Sequence, residues 1–211
     1  RRAFSWQRAN PLGGLATARA NPSLLNAAIV LSLWQIASLV YPTTWSFFTI
    51  AQYGWSDAMI GASLAAVGLT MAVSQTMFTG PVVRRLGERD AASLGLVGAI
   101  AGFVAYAFST QTWMAFALMI AIAFQSLVQP SLMAMLSREA SPDTQGEVQG
   151  IAAMSMGIGA MIAPVVLAWP QAYFTRETAI VRFPGAAFLI AAGFALVALY
   201  SLRRRPKPHD R

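Results

Sequence analysis

The 211-residue sequence is 56% hydrophobic and only 11% charged, with a mean hydropathy of +0.54. That is about half the ~25% charged fraction a soluble domain uses to solvate its surface, so a soluble globular fold is excluded. The net charge of +7 could point to nucleic acid, but the basic residues lie outside the long apolar runs and fall on one side of the chain's topology. That pattern fits a membrane protein and no nucleic-acid partner. Cysteine is absent, which removes disulfides, thiolate metal sites and cysteine nucleophiles.

No Asp, Glu, Lys, Arg or His lies between Arg19 and Asp57, Asp57 and Arg84, Asp90 and Arg138, Glu147 and Arg176, or Arg182 and Arg203. A helix crossing the hydrocarbon needs roughly 20 apolar residues. Four of these intervals hold one span each; the longest holds two, divided at Ser109-Thr110-Gln111-Thr112. The expected fold is therefore all-α, with six membrane helices.

In chain order, residues 1–22 read as a cytoplasmic segment. The first residue is Arg1 and no signal peptide precedes the first span, so the chain reads as a fragment whose upstream part is missing. Residues 23–203 hold the bundle. Span one is expected from about Leu24 to Thr49, span two from Met59 to Thr79 and span three from Ala91 to Phe108. Span four is expected from Trp113 to Leu136, span five from Val148 to Trp169 and span six from Pro184 to Leu202. Residues 204–211 form a basic tail.

With six spans both termini share one face. Every basic residue except Arg176 and Arg182 falls there, which the positive-inside rule makes cytoplasmic. Trp45, Tyr53, Trp55, Trp113, Trp169 and Tyr173 all fall at the opposite ends of the spans, as an interfacial aromatic belt requires.

Gly98 and Gly102 form a G-x-x-x-G in span three, and Gly157 and Gly159 sit in span five. They read either as close packing or as a sliding seam. Pro42, Pro130 and Pro164 interrupt spans one, four and five. Spans one and four both carry a glutamine ahead of the proline: Gln35 before Pro42, and Gln125 and Gln129 before Pro130. Interrupted helices at matching places in two three-span repeats point to a central binding site. Gln35, Gln125 and Gln129 are thus candidates to line a cavity for a small-molecule substrate, although a membrane amide can equally bond a neighbouring helix. For Gln75 and Asn26 the helix-bonding role is the expected one. The ten methionines, Met71, Met133 and Met154 among them, suit either promiscuous apolar substrates or ordinary packing.

Enzymatic chemistry has nothing to work with. The only histidine, His209, lies in the tail, and no acid or base falls inside a span. No metal or other cofactor is implied. Proton-coupled carriers relay protons through intramembrane carboxylates or histidines. If the whole protein is proton-driven, those groups belong to the part not present here, or coupling uses loop residues.

Between spans two and three the sequence reads Gly80-Pro81-Val82-Val83-Arg84-Arg85-Leu86-Gly87-Glu88-Arg89. This resembles the short loop motif that recurs in both halves of major facilitator transporters. Ala134-Met135-Leu136-Ser137-Arg138, Gln145-Gly146-Glu147-Val148-Gln149-Gly150, Asn10-Pro11-Leu12 and Ile60-Gly61 with Ser63-Leu64-Ala65-Ala66 extend the likeness. Together they resemble the C-terminal half of the tetracycline-efflux exporters over nearly the whole chain.

The resemblance implies one half of a twelve-helix drug:proton antiporter of a bacterial inner membrane, working by alternating access with an N-terminal six-helix half as its partner. It also implies a role in gating the cytoplasmic side for Gly80, Arg84, Arg85, Gly87 and Arg89. Two positions depart from the family's pattern. Ala99 stands where tetracycline exporters carry an acid, and Met71 where some carry a histidine. From another class, the chain could be a non-transporting six-helix module that assembles with a partner; six further spans encoded upstream of Arg1 would decide for the transporter.

Overall fold

A computed structural model describes residues 21–138, 145–176 and 178–204. Nearly all of the 1–22 segment, with its Asn10-Pro11-Leu12 motif, and the tail beyond Arg204 lie outside the described residues. Six helices are long and apolar enough to cross a membrane: α1 (Pro22–Tyr53), α2 (Asp57–Leu86), α3 (Glu88–Phe108), α4 (Thr112–Arg138), α5 (Gln145–Phe174) and α6 (Ala186–Arg203). There is no strand among the described residues. The six expected spans are all present, and most are longer than the charge-free windows implied, because the helices continue past the apolar stretch into their polar ends.

Local chemistry sets the boundaries. The Asn21 side chain accepts from the backbone N–H groups of Ser23 and Leu24, capping α1 at its start. Gly54 ends the same helix in the left-handed region (φ 67°, ψ 31°), with its N–H on the Ile50 carbonyl. Proline interrupts the helices in two related ways. In α1 the regular pattern breaks at Leu39, and in α4 at Ser126-Leu127. Each break lies just ahead of a proline, Pro42 or Pro130. Helices α2 and α5 instead widen into a π-helical turn, Ser74–Thr79 and Pro164–Ala168, each ending two residues before a proline, Pro81 or Pro170. First matches fourth and second matches fifth, which is the correspondence a pair of nested three-helix repeats demands. A further break in α4 at Leu118-Met119 has no proline; bonds to the third residue back, such as Met119 N–H to Phe116 O at 3.1 Å, tighten the chain there.

Helix α3 occupies the heart of the bundle and packs along α6 and α4, while α1 packs against α6, α5 and α4. Small residues make the α3–α4 approach possible. A Cβ on Gly98 would lie 2.4 Å from Phe124 Cβ, on Gly102 2.7 Å from Ala121 Cβ, and on Gly95 2.7 Å from Val128 Cγ2. The G-x-x-x-G is therefore part of a longer packing stripe. Gly159 does the same for α5 against Gln35 of α1, whereas Gly157 faces no neighbour.

The aromatic belt needs one correction. Trp113, Trp169 and Tyr173 are exposed on the bundle surface, but Trp45 and Trp55 are buried. Their indole N–H groups donate to Ser63 Oγ and Thr112 Oγ1, both at 3.0 Å, so each ring finds a polar partner inside the protein and has no need of the interface. Trp45 joins Tyr41, Phe48, Phe103, Tyr106 and Phe188 in an aromatic cluster, with Phe48 and Phe188 centroids 4.8 Å apart.

The motif between α2 and α3 is hardly a loop. Gly80–Leu86 continues α2 as helix, and Gly87 alone makes the turn, at φ 79° and ψ 162°. That combination is essentially restricted to glycine. Gly87→Ala is expected to destabilise the protein by about 1–3 kcal/mol, read as a lower melting temperature in detergent. Gly80→Ala should leave it unchanged, since the added Cβ would meet only Arg84 Nη1 at 3.7 Å.

Candidate functional site

The breaks in α1 and α4 face a common cavity of about 730 Å³, closed on its third side by α2. From α1 come Trp34, Ser38, Tyr41 and Pro42; from α2, Leu64, Val67, Met71, Gln75 and Thr79; from α4, Ile122, Gln125, Ser126, Gln129 and Pro130. The wall is mostly apolar with a few placed polar groups, the composition of a small-molecule pocket. Among the described residues its lining includes no Asp, Glu, Lys, Arg or His.

Two of the three expected cavity glutamines are there. Gln125 Nε2 donates to the Tyr41 hydroxyl at 3.0 Å, bridging the interrupted regions of α4 and α1. Gln129 Nε2 contacts Met156 Sδ of α5 at 3.7 Å while its residue still lines the cavity. Gln35 is not among the lining residues. Its Cβ and Cγ pack against Gly159 of α5.

Gln75, expected to bond a neighbouring helix, lines the cavity and is exposed. Asn26 does bond a helix: its Nδ2 donates to the Ser201 carbonyl of α6 at 3.1 Å. Tyr41 and Trp34 are among the wall residues that sequence reasoning missed; a signal was available, since Tyr41 adjoins Pro42 and Trp34 adjoins Gln35. Of the two departures from the family's polar pattern, Met71 lines the cavity and Ala99 is fully buried in the core of α3.

The expected gating residues lie about the arginine-rich end of α2 and the start of α3. Arg84 and Arg85 are exposed. Arg89 is committed elsewhere: its Nη2 donates to the carbonyls of Leu202 at 2.7 Å and Arg203 at 3.3 Å, satisfying the C-terminus of α6. Glu88 pairs with Arg138 at 2.8 Å, tying the first turn of α3 to the last of α4. At the opposite end Gln52 Nε2 donates to the Ser109 carbonyl at 2.7 Å, and the Tyr53 hydroxyl bonds the Ser109 hydroxyl. No group of three or more His, Cys, Asp or Glu that could hold a metal occurs among the described residues.

The family model for the Major Facilitator Superfamily matches residues 22–211. The tetracycline resistance protein of class C from Escherichia coli is 32% identical over 204 residues, covering 97% of this chain and 50% of that protein. The class G tetracycline resistance protein of Vibrio anguillarum is 33% identical over 175 residues, covering 83% and 43%. The mouse hippocampus abundant transcript-like protein 1 is 28% identical over 163 residues, covering 77% and 32%. The chain thus spans about half the length, or less, of the curated relatives it matches.

Proposed function

Because the chain belongs to the major facilitator superfamily, we propose that it is one six-helix half of a secondary exporter of drugs or small metabolites, coupled to protons and working by alternating access. The observation that carries this reading is the cavity itself. It lies at the breaks of α1 and α4, the first helix of each three-helix repeat, where transporters of this architecture place their substrate. The similarity to tetracycline resistance proteins supports export of a drug. Since the wall holds no acid or base, proton exchange falls to the partner half.

That partner is an N-terminal six-helix half of the same transporter. Helices α2 and α5 support this, because only 17% and 33% of their most apolar stretches are buried in this bundle, against 56% for α3. The distribution of basic residues supports a reading with both ends of the segment cytoplasmic, and the membrane of this proposal is a bacterial inner membrane. In this setting Gly80, Arg84 and Arg85 take part in cytoplasmic gating and Gly87 fixes the turn beside them.

The test is a resistance and uptake panel on the full-length protein, tetracyclines included, with collapse of the proton gradient as control. Export of at least one compound, lost when the gradient collapses, is expected. No shift for any compound would overturn the proposal.

A further inference from the structure

In a regular helix each carbonyl accepts from the N–H four residues on, and proline has no N–H to give. Pro42 therefore leaves the Ser38 carbonyl without its helical donor, and Pro130 leaves that of Ser126. All four residues line the cavity. Positions four apart share a helix face, so each unclaimed carbonyl opens on the face its own serine and proline present to the cavity. The sequence pattern is the same on both helices: Ser-x-x-x-Pro at residues 38–42 and again at 126–130.

The serine hydroxyls do not fill the vacancies. Ser38 Oγ donates to the Gln35 carbonyl at 3.2 Å, and Ser126 Oγ to that of Ala123 at 2.7 Å. Among the described residues no Lys or Arg lines the cavity to claim the acceptors instead. What remains is a pair of peptide oxygens on opposite helices, flanked by the aromatic side chains of Trp34 and Tyr41 in an otherwise apolar pocket.

Unwound carbonyls and aromatic faces attract positive charge. We propose that the Ser38 and Ser126 carbonyls receive the N–H groups of a protonated amine, so that the cavity selects substrates with a primary or secondary ammonium on a lipophilic frame. The inference rests on the reading of this cavity as a substrate site and adds the chemical class. Recognition comes from backbone acceptors, which explains how a wall without a carboxylate holds a cation: N–H···O bonds supply the direction, while a full counter-charge is left to the opposite half.

The experiment compares two ligands of equal charge on the full-length transporter in lipid nanodiscs: 4-phenylbutylammonium and its N,N,N-trimethyl analogue, which has no N–H. The native protein is expected to bind the ammonium at least about tenfold more tightly. Pro42→Ala and Pro130→Ala each restore a helical N–H to the carbonyl, and each should shrink that preference about threefold or more while leaving the trimethyl compound's affinity unchanged. Ser38→Ala and Ser126→Ala keep the carbonyls and should keep the preference.

Equal affinity for the two ligands, no measurable binding of either, or an unchanged preference in both proline variants would overturn the proposal. The native comparison needs no variant to fold. A protein that shows the preference but moves nothing across proteoliposomes would leave this site standing and remove the exporter reading.

Discussion

Gly98→Leu is expected to leave almost no folded protein in the membrane, and Gly98→Ala to fold with a stability lower by about 1–3 kcal/mol, the usual range for overpacking. The reason is what the added atom would meet. A Cβ at Gly98 lies 2.4 Å from Phe124 Cβ and 3.0 Å from Phe124 Cγ. Phe124 Cβ is fixed to its backbone and cannot rotate away, so α3 and α4 must separate. Separation would also break the contacts at Gly95 and Gly102 on the same stripe. In lipid no hydrophobic force restores the lost packing, because hydrocarbon solvates the parted faces as well as protein does. The check is the yield of monodisperse protein together with its melting temperature in detergent. Gly157→Ala is the control, as nothing lies within 4 Å of its Cβ. Equal losses at 98 and 157 would show that the α3–α4 seam is not the cause.

The second large effect belongs to the Gln125–Tyr41 bond. Gln125→Leu should lower transport about tenfold at unchanged protein level, and Tyr41→Phe by a similar factor. Each removes one member of a part-buried pair and leaves the other unsatisfied, a loss of about 1–3 kcal/mol. The double variant should be no worse than the poorer single, since the second change removes the stranded group. Initial uptake rates in everted vesicles give all four corners of the cycle. Losses that multiply in the double variant would mean that the two side chains act separately.

Charge placement revealed the number of helices because it records where the chain refuses a membrane. Pro42 and Pro130 revealed the depth of the cavity because a missing N–H is a property of the residue, whatever surrounds it. Facing was harder to read. Gln35 and Gln125 precede proline in equivalent helices, yet Gln125 meets the cavity and Gln35 meets Gly159 of α5. Hydropathy cannot separate these outcomes, since lipid-facing and protein-facing surfaces in a membrane are both apolar.

The same blindness placed Trp45 and Trp55 in the interface, when Ser63 and Thr112 supply their N–H partners inside the bundle. The turn at Gly87 illustrates a different limit. Its motif was recognisable, but that Gly80–Leu86 stays helical and a single glycine reverses the chain depends on how α2 and α3 sit together. The break at Leu118-Met119 leaves no trace in residue type.

At one end Arg138–Glu88, Arg89 with the α6 carbonyls and Asn26 with the Ser201 carbonyl fasten α4, α3, α6 and α1 in turn, and at the other Gln52, Tyr53 and Trp55 bind the end of α1 to the end of α3 and the start of α4. Between its short tethers at residues 54–56 and at Gly87, α2 is held among the described residues by two side-chain hydrogen bonds, Trp45 to Ser63 and Thr79 to Ser126, and by the ring contact of Phe78 with Phe124. The α1 and α4 walls of the cavity are thus framed by the bundle, and its width is set by one lightly stapled panel, α2. Two neutral hydrogen bonds are worth about 2 kcal/mol together at ~1 kcal/mol each. A ligand that prefers the wider form a hundredfold supplies about 2.7 kcal/mol. On that scale the pocket can be resized by what it holds, so guests of different bulk need no different protein.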